Sequence, residues 1–394
     1  HDWQETQPDS AFTVDEGLVN SFIQSLPFQL TAAQQRVLAE MLADMQKPRP
    51  MSRLLQGEVG SGKTVVATVA LLTAVANGCQ GGFMAPTEIL AEQHFATLCQ
   101  LLSRAGSQEE EAPYLRRFSG LLPRPITVAL LIGDITVSQK QELQRQIADG
   151  DIDIVIGTHA LIQKGVAFYK LGLAVVDEQH RFGVAQRSAL RQKGFRPHAL
   201  VMTATPIPRT LALTLYGDLD LSVIDELPPG RQVVKTKWLR PAQRESAYNF
   251  IRKQVAAGNQ AFIICPLIEE SEKIEARAAV QEYERLQKNV FPDMRLGLLH
   301  GRMKAADKEA IMQAFRRGEL DILVSTPVVE VGIDVPNATV MLVEGANRFG
   351  LAQLHQFRGR VGRGEHQSYC ILLADSSTAS SEERLRALES THDG

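Results

Sequence analysis

Only four cysteines occur in 394 residues, and Cys79, Cys99, Cys265 and Cys370 include no C-x-x-C pair. Their scatter argues against a disulfide framework or a zinc site and fits buried free thiols in a reducing compartment. Aromatic residues make up just 6% of the chain. No apolar run reaches the ~18–20 residues needed to cross a bilayer, and no charged-then-apolar signal segment opens the chain, so no membrane contact is expected. Positive charge is not in excess either, the net charge being −3. Nucleic-acid binders often carry a basic surplus. Either the partner is not nucleic acid, or phosphates are gripped locally by amides, hydroxyls and a few basic groups.

What is present is an ordinary globular composition, 44% hydrophobic and 22% charged, at a length comfortable for two domains. The chain starts at His1 rather than methionine and stops at Gly394 just after a helical pattern, as a piece of a larger protein would. Its most informative stretch is Gly57–Thr64, GEVGSGKT, which satisfies G-x-x-x-x-G-K-[ST]. Arg53–Gln56 before it reads as a short buried strand and Thr64–Ala76 after it as a helix. In that setting glycines let backbone N–H groups close around phosphate oxygens, and the positive end of the helix dipole adds to the attraction. Gly57, Gly60, Ser61 and Gly62 would form the cradle. Lys63 would meet the outer phosphates of ATP, and Thr64 would offer a hydroxyl to Mg²⁺.

Buried strands are predicted at Gly82–Ala85, Thr127–Ile132, Asp153–Ile156, Leu173–Val176 and Leu200–Met202, with helices near Ile89–Leu102, Ser138–Ala148 and Val184–Leu190. Glu226–Gly230, with two prolines and a glycine, breaks the rhythm. A second series follows, with strands at Val233–Leu239, Ala261–Cys265, Arg295–Leu299, Ile322–Ser325, Val340–Val343 and Tyr369–Leu373, and helices such as Pro241–Ala257 and Ala305–Arg316. The fold class is therefore α/β: two domains, each a mainly parallel sheet with helices on both faces. Residues 1–25 are an extension, 26–228 the first domain, 229–375 the second, and 376–394 the start of a further helical element. Ser103–Pro125 carries three consecutive glutamates and three prolines without sustained periodicity, and is expected to be a surface insertion, mobile around Glu109–Glu111. No internal repeat is evident.

The predicted strand Leu173–Val176 runs into Asp177-Glu178, placing two carboxylates at the sheet edge where ligands of such folds bind. Alone, this reads better as a solvated acidic turn. With the phosphate loop upstream, Asp177 becomes a candidate to hold Mg²⁺ and Glu178 to accept a proton from attacking water. In the second domain, QLHQFRGRVGRG (Gln353–Gly364) brings Arg358, Arg360 and Arg363 close together. Arg360 and Arg363 would share one face of a helix, as arginine fingers on a γ-phosphoryl group or as a solvated basic or phosphate-gripping patch.

These motifs in this order resemble a superfamily 2 helicase motor, and more closely the RecG-type DNA helicase/translocase. The likeness rests on LTAAQ (Leu30–Gln34), APTEILAEQH (Ala85–His94), GTHALIQ (Gly157–Gln163), DEQHRFGVAQR (Asp177–Arg187) and TATPIPRTLAL (Thr203–Leu213). IDELPPGR (Ile224–Arg231), EVGIDVPNA (Glu330–Ala338) and RFGLAQLHQFRGRVGRG (Arg348–Gly364) continue it. It covers about residues 25–394 apart from the insertion, and implies two RecA-like domains.

The resemblance also implies roles. Phe28 and Gln34 would recognise adenine, Gln34 through its two-sided amide. Gln356 would approach the γ-phosphate and attacking water, with Gly332 and Asp334 near the ribose. Pro86, Thr87, Thr158, His159, Ser325 and Thr326 would follow a DNA strand's backbone, although each threonine reads equally as a helix cap. His180, Thr203, Thr205 and Arg209 would couple hydrolysis to movement. The implied function is ATP-driven movement on duplex DNA that remodels replication forks and Holliday junctions, in fork reversal and branch migration. The implied setting is a monomer in the cytoplasm, associated with the nucleoid, with single-stranded-DNA-binding protein as a further partner.

RecG-type proteins also carry a wedge domain that residues 1–25 are too short to contain, and a helical hairpin that Glu382–Leu388 would only begin. The rivals are a transcription–repair coupling translocase, an RNA helicase, and a nucleic-acid-binding scaffold with weak ATPase activity.

Overall fold

Short runs of β-branched and leucine side chains alternate with amphipathic helices along the whole chain, and the computed structural model shows how they assemble. It describes residues 11–390 except 59, 134, 159–160, 162–165, 179–196, 205–218, 227–232, 266–271, 328–334, 363, 365 and 375–378. The expected helix at Val184–Leu190 and the site candidates His159, His180, Thr205, Arg209, Gly332, Asp334 and Arg363 lie outside the described residues. The chain divides into two units, His1–Pro228 and Pro229–Gly394.

In chain order the first unit contains α1 (Glu16–Ser25), α2 (Ala32–Met45), β1 (Ser52–Gly57), α3 (Lys63–Ala76), β2 (Gln80–Met84), α4 (Glu88–Ala105), β3 (Ser107–Ala112) and β4 (Leu115–Ser119). It continues with β5 (Ile126–Leu131), α5 (Val137–Asp149), β6 (Ile154–Gly157), β7 (Leu171–Glu178), β8 (His198–Thr203) and β9 (Asp220–Ile224). The strands form one sheet in the order β3-β4-β5-β6-β2-β7-β8-β1-β9, parallel from β5 to β9. Alternate residues of β7 feed the two faces: Leu173 and Val175 pack with α3 and α4, while Ala174 and Val176 join a second core with Leu143 and Ile147 of α5. Helix α3 is buried on nearly every side, which explains its unbroken run of Val, Ala and Leu.

The expected mobile insertion is instead part of this sheet. β3 and β4 pair antiparallel, and β4 pairs antiparallel with β5. Arg116 meets Glu110 and Arg117 meets Glu111, each at 3.0 Å, so the glutamates are cross-strand partners on an exposed edge. Leu115 and Phe118 anchor the hairpin in the core. Their three-residue spacing hides the period of two by which a strand is recognised.

The second unit contains β10 (Lys235–Leu239), α6 (Arg244–Ala256), β11 (Gln260–Ile264), α7 (Glu272–Arg285), β12 (Leu296–Leu299), α8 (Ala305–Arg316) and β13 (Ile322–Ser325). β14 (Ala338–Glu344), α9 (Leu351–Arg358), β15 (Tyr369–Leu373) and α10 (Ala379–Ser390) complete it. Its all-parallel sheet has the order β10-β15-β14-β11-β13-β12.

Read from the other end, that order matches β5-β6-β2-β7-β8-β1 of the first unit strand for strand, so an internal repeat exists after all. The same anchors recur. Gln80 opens β2 and donates to the carbonyls of Ile147 and Ile152, at 2.9 and 2.7 Å; Gln260 opens β11 and donates to those of Phe315 and Leu320, both at 2.7 Å. Asp153 accepts from the backbone N–H of Thr127, and Asp321 from that of Arg295, both at 2.8 Å. Just ahead of them, Gly150 (φ 86°) and Gly318 (φ 75°) end their helices in the left-handed region that only glycine enters cheaply. Counting from Gln80 and Gln260, Thr64 corresponds to Arg244. The β2–β7 and β11–β14 registers likewise equate Asp177 with Glu344. In the second unit these two positions form an ion pair of 3.0 Å, with the Tyr248 hydroxyl donating to the same carboxylate.

One buried cluster holds the first unit's site in place. Arg53 of β1 reaches Asp44 of α2 and donates to Ser222 of β9 at 2.6 Å, and Lys47 donates to Asp44 at 2.6 Å. Burial pushes the Asp44 carboxyl up, but the hydrogen bonds from Lys47 and Arg53 outweigh it and hold the group below the usual carboxylate range. Replacing Asp44 by Ala leaves the buried guanidinium only Ser222 and, at 3.3 Å, Glu40, and is expected to destabilise the protein by about 3 kcal/mol in urea denaturation at neutral pH. Because the native carboxyl is depressed, its contribution is complete above roughly pH 4 and the gap between wild type and variant closes as pH falls further.

Candidate active site

In a parallel sheet all strands end on one edge, and there β1 turns into the loop preceding α3. Gly62 stands at φ 86°, and a Cβ on it would lie 2.3 Å from Nε2 of Gln34. A Cβ on Gly57 would lie 2.5 Å from Oγ of Ser61. The loop thus curls as tightly as bare backbone allows. Ser61 is fully buried, and its hydroxyl has no hydrogen-bond partner among the described residues. Gly62 caps α3 without a side-chain acceptor, and the Val65 N–H turns back to the Gly62 carbonyl at 3.0 Å, so no side chain blocks an anion from this end of the helix. Lys63 arches over the loop, donating to the carbonyls of Gly57 and Glu58 at 2.6 and 2.8 Å. An exposed Gly60 and partly exposed Lys63 and Thr64 complete a cradle that fits phosphate oxygens.

Register brings the acidic strand alongside. Glu178 pairs with Thr203, and Thr203 with Gln56, so one line crosses β7, β8 and β1 just before the loop. Two strand spacings put β7 about 10 Å from β1, a gap that phosphates can occupy. Asp177 is partly exposed, and its Oδ2 lies 2.6 Å from Nε2 of His94 on α4. Among the described residues no cluster of three or more His, Cys, Asp or Glu could hold a metal. A cation at Asp177 and Thr64 would thus depend on oxygens supplied by nucleotide phosphates, as Mg²⁺ usually does.

Gln34 is held from two sides. Its Oε1 accepts from the backbone N–H of Thr31 at 2.9 Å while Nε2 donates to the carbonyl of Ser61 at 2.7 Å. With 1% exposure, this amide closes a capping box on α2 and braces the phosphate loop. Phe28 is 40% exposed and sits on a groove between α1 and α2.

The candidates for a nucleic-acid backbone sit at the ends of β2, β6 and β13. Thr87 is exposed and caps α4, its Oγ1 accepting from Leu90 at 3.3 Å. Pro86 and Thr158 are partly exposed. The repeat makes Thr326 the counterpart of Thr158, eight residues after the helix-ending glycine in both units. Ser325 and Thr326 are buried rather than presented, and the Ser325 hydroxyl donates to the Thr326 carbonyl. The Thr326 hydroxyl and Nδ1 of His300 are both buried without a hydrogen-bond partner among the described residues.

In the second unit α9 ends at Arg358, and Gly359-Arg360 form a turn. Arg360 is therefore not on a helix, contrary to the shared-face expectation. Gln356 and Arg360 are partly exposed. Arg358 is buried, with Nη1 donating to the Leu388 carbonyl of α10 at 3.4 Å and Nη2 to Nδ1 of His355 at 3.1 Å.

Both units match known families. Residues 31–214 match the DEAD/DEAH box helicase family, and residues 243–365 the helicase conserved C-terminal domain. ATP-dependent DNA helicase RecG of Synechocystis sp. is 51% identical over 394 residues, covering all of this chain and 45% of the relative. The Bacillus subtilis RecG is 49% identical over 373 residues, covering 95% of this chain and 52% of the relative. A solved structure of RecG bound to a three-way DNA junction is 46% identical with a TM-score of 0.82, over 98% of this chain and 48% of that one. The chain belongs to the RecG-type helicases. It spans about half the length of the curated relatives it matches.

Two groups in this RecG-type chain escaped sequence reasoning. His94 lies in the quoted APTEILAEQH stretch, seven residues after Thr87 and so on the same helix face, a spacing that could have drawn notice. His355 offered no such signal. Burial, then the neighbouring Arg358, drives its imidazole down to about 4, and a guanidinium can only donate, so Nδ1 is the acceptor of a neutral ring. Above roughly pH 6.5 this arrangement costs nothing; as pH falls toward about 4 the unfolded state gains the proton first and the second unit loses stability. His355→Gln is expected to flatten that part of the pH dependence, read by urea denaturation at pH 7 and pH 5.

Proposed function

We propose that this chain is an ATP-driven motor that moves on duplex DNA and remodels branched DNA in recombination and repair. The observation that supports it most is identity near one half, along the whole chain, to helicases named RecG, one of them solved on a three-way junction. The phosphate cradle and the acidic strand supply the chemistry. In this reading Lys63 and the loop amides hold the triphosphate, and Glu178 accepts a proton from the attacking water, which Gln356 orients. Arg360 and Arg363 stabilise charge developing on the γ-phosphoryl group. Thr64 and Asp177 hold Mg²⁺, which when bound neutralises phosphoryl oxygens. Gly332 and Asp334 meet the ribose, with Phe28 beside the base.

Pro86, Thr87, Thr158 and His159 grip the strand backbone through hydroxyls and amides, so a net charge of −3 is no obstacle. Thr326, the repeat partner of Thr158, and Ser325 are the second-unit candidates for the same strand, and being buried they require that strand end to open before they can join the grip. Thr203 lies on the line between the acidic strand and the phosphate loop, and with His180, Thr205 and Arg209 it relays nucleotide state to the DNA side. The wider setting, a monomer in the nucleoid working beside single-stranded-DNA-binding protein, follows the family resemblance.

ATP turnover measured with forked DNA, linear duplex, single strands and RNA tests this reading. Strongest stimulation by forks or junctions is expected; no stimulation by any nucleic acid would leave only a scaffold. Lys63→Ala should abolish turnover, and Glu178→Gln should cut it about 10²–10⁴-fold while ATP still binds. Arg360→Ala should lower turnover by about 10³-fold or more with a far smaller change in nucleotide affinity; equal losses would assign Arg360 to binding alone.

A further inference from the structure

The hydrogen bond between α4 and the acidic strand has no part in the chemistry described so far. Nε2 of His94 and Oδ2 of Asp177 are 2.6 Å apart, and both side chains are largely shielded, at 14% and 22% exposure. The imidazole cannot drift, because its ring lies against Phe83 with centroids 4.5 Å apart. Phe83 is buried on β2, one residue short of Met84, which pairs with Val176 next to Asp177. Leu90, Ala91 and Phe95 lock α4 onto the same core. A partner this close, on a helix this firmly seated, fixes the rotation of a carboxylate.

We propose that His94 is a positioning residue for Asp177, holding one carboxylate oxygen so that the group stays turned toward the divalent cation carried by the nucleotide. A histidine bonded to a ligating carboxylate fits the outer-shell partners that orient metal ligands, whose loss costs about 10–100-fold in metal affinity. The same histidine lies two helical turns, about 10 Å, from the Thr87 cap. One rigid element therefore carries both the cation-facing carboxylate's support and a proposed DNA contact. This inference rests on the reading of Asp177 as a cation-holding residue.

The test uses the full chain and a fluorescent ATP analogue, titrated once with Mg²⁺ and once with EDTA. His94→Ala is expected to weaken binding about tenfold in Mg²⁺ and less than twofold in EDTA. His94→Gln, which keeps an N–H donor, should recover most of the loss, and it carries the test alone if the alanine variant fails to fold. Equal losses in both buffers would mean that His94 merely supports the fold, and no loss in either would mean that it does nothing for the carboxylate; each result overturns the proposal. Asp177→Ala separates the two levels. If it leaves the advantage of Mg²⁺ over EDTA intact, the cation assignment itself falls. If it removes that advantage while His94→Ala does not, only the positioning role falls.

Discussion

Parallel pairing is the constraint on which the rest of this molecule depends. Because every strand from β5 to β9 runs the same way, the phosphate loop after β1, the carboxylates ending β7 and the threonine ending β8 emerge on one edge. The line Gln56–Thr203–Glu178 is a backbone register, and a slip of one residue in β8 would turn the Thr203 side chain to the opposite face. Packing enforces the register, since Leu173 and Val175 must enter one core while Ala174 and Val176 enter the other. The geometry of the candidate site is thus inherited from the two-sided core. The bracing of β1 through Arg53 and of the loop through Gln34 adds what register alone cannot supply, a fixed distance between sheet edge and helix α2.

Much of this was legible in the sequence. GEVGSGKT fixes its own surroundings because a phosphate loop works only between a strand and a helix, and the buried strands declared themselves as short apolar runs. The carboxylates of Asp177 and Glu178 became meaningful only when joined to that loop. What stayed hidden has physical causes. Half of the outer strand β3 is glutamate, a poor strand former, and Glu110 and Glu111 find arginine partners on the next strand, a cross-strand ion pairing that no local pattern records.

Other features were legible yet easy to misread. Thr31 followed three residues later by Gln34 is a capping box in plain text, and the structure forms it. Gly359 and Gly362 could have warned that the helix bearing Arg358 would not continue to Arg360. The repeat escaped because it survives only in scattered anchors, a glutamine at a strand start, an aspartate before a strand and a glycine after a helix. Each is unremarkable until the strand orders are laid side by side.

That doubling has a consequence for where such a frame can hold a ligand. The corner where the first unit places Thr64 and Asp177 is occupied in the second by the ion pair of Arg244 and Glu344. Among the described residues, two copies of one frame therefore treat this corner differently: the first leaves it partly exposed, and the second fills it with its own opposite charges.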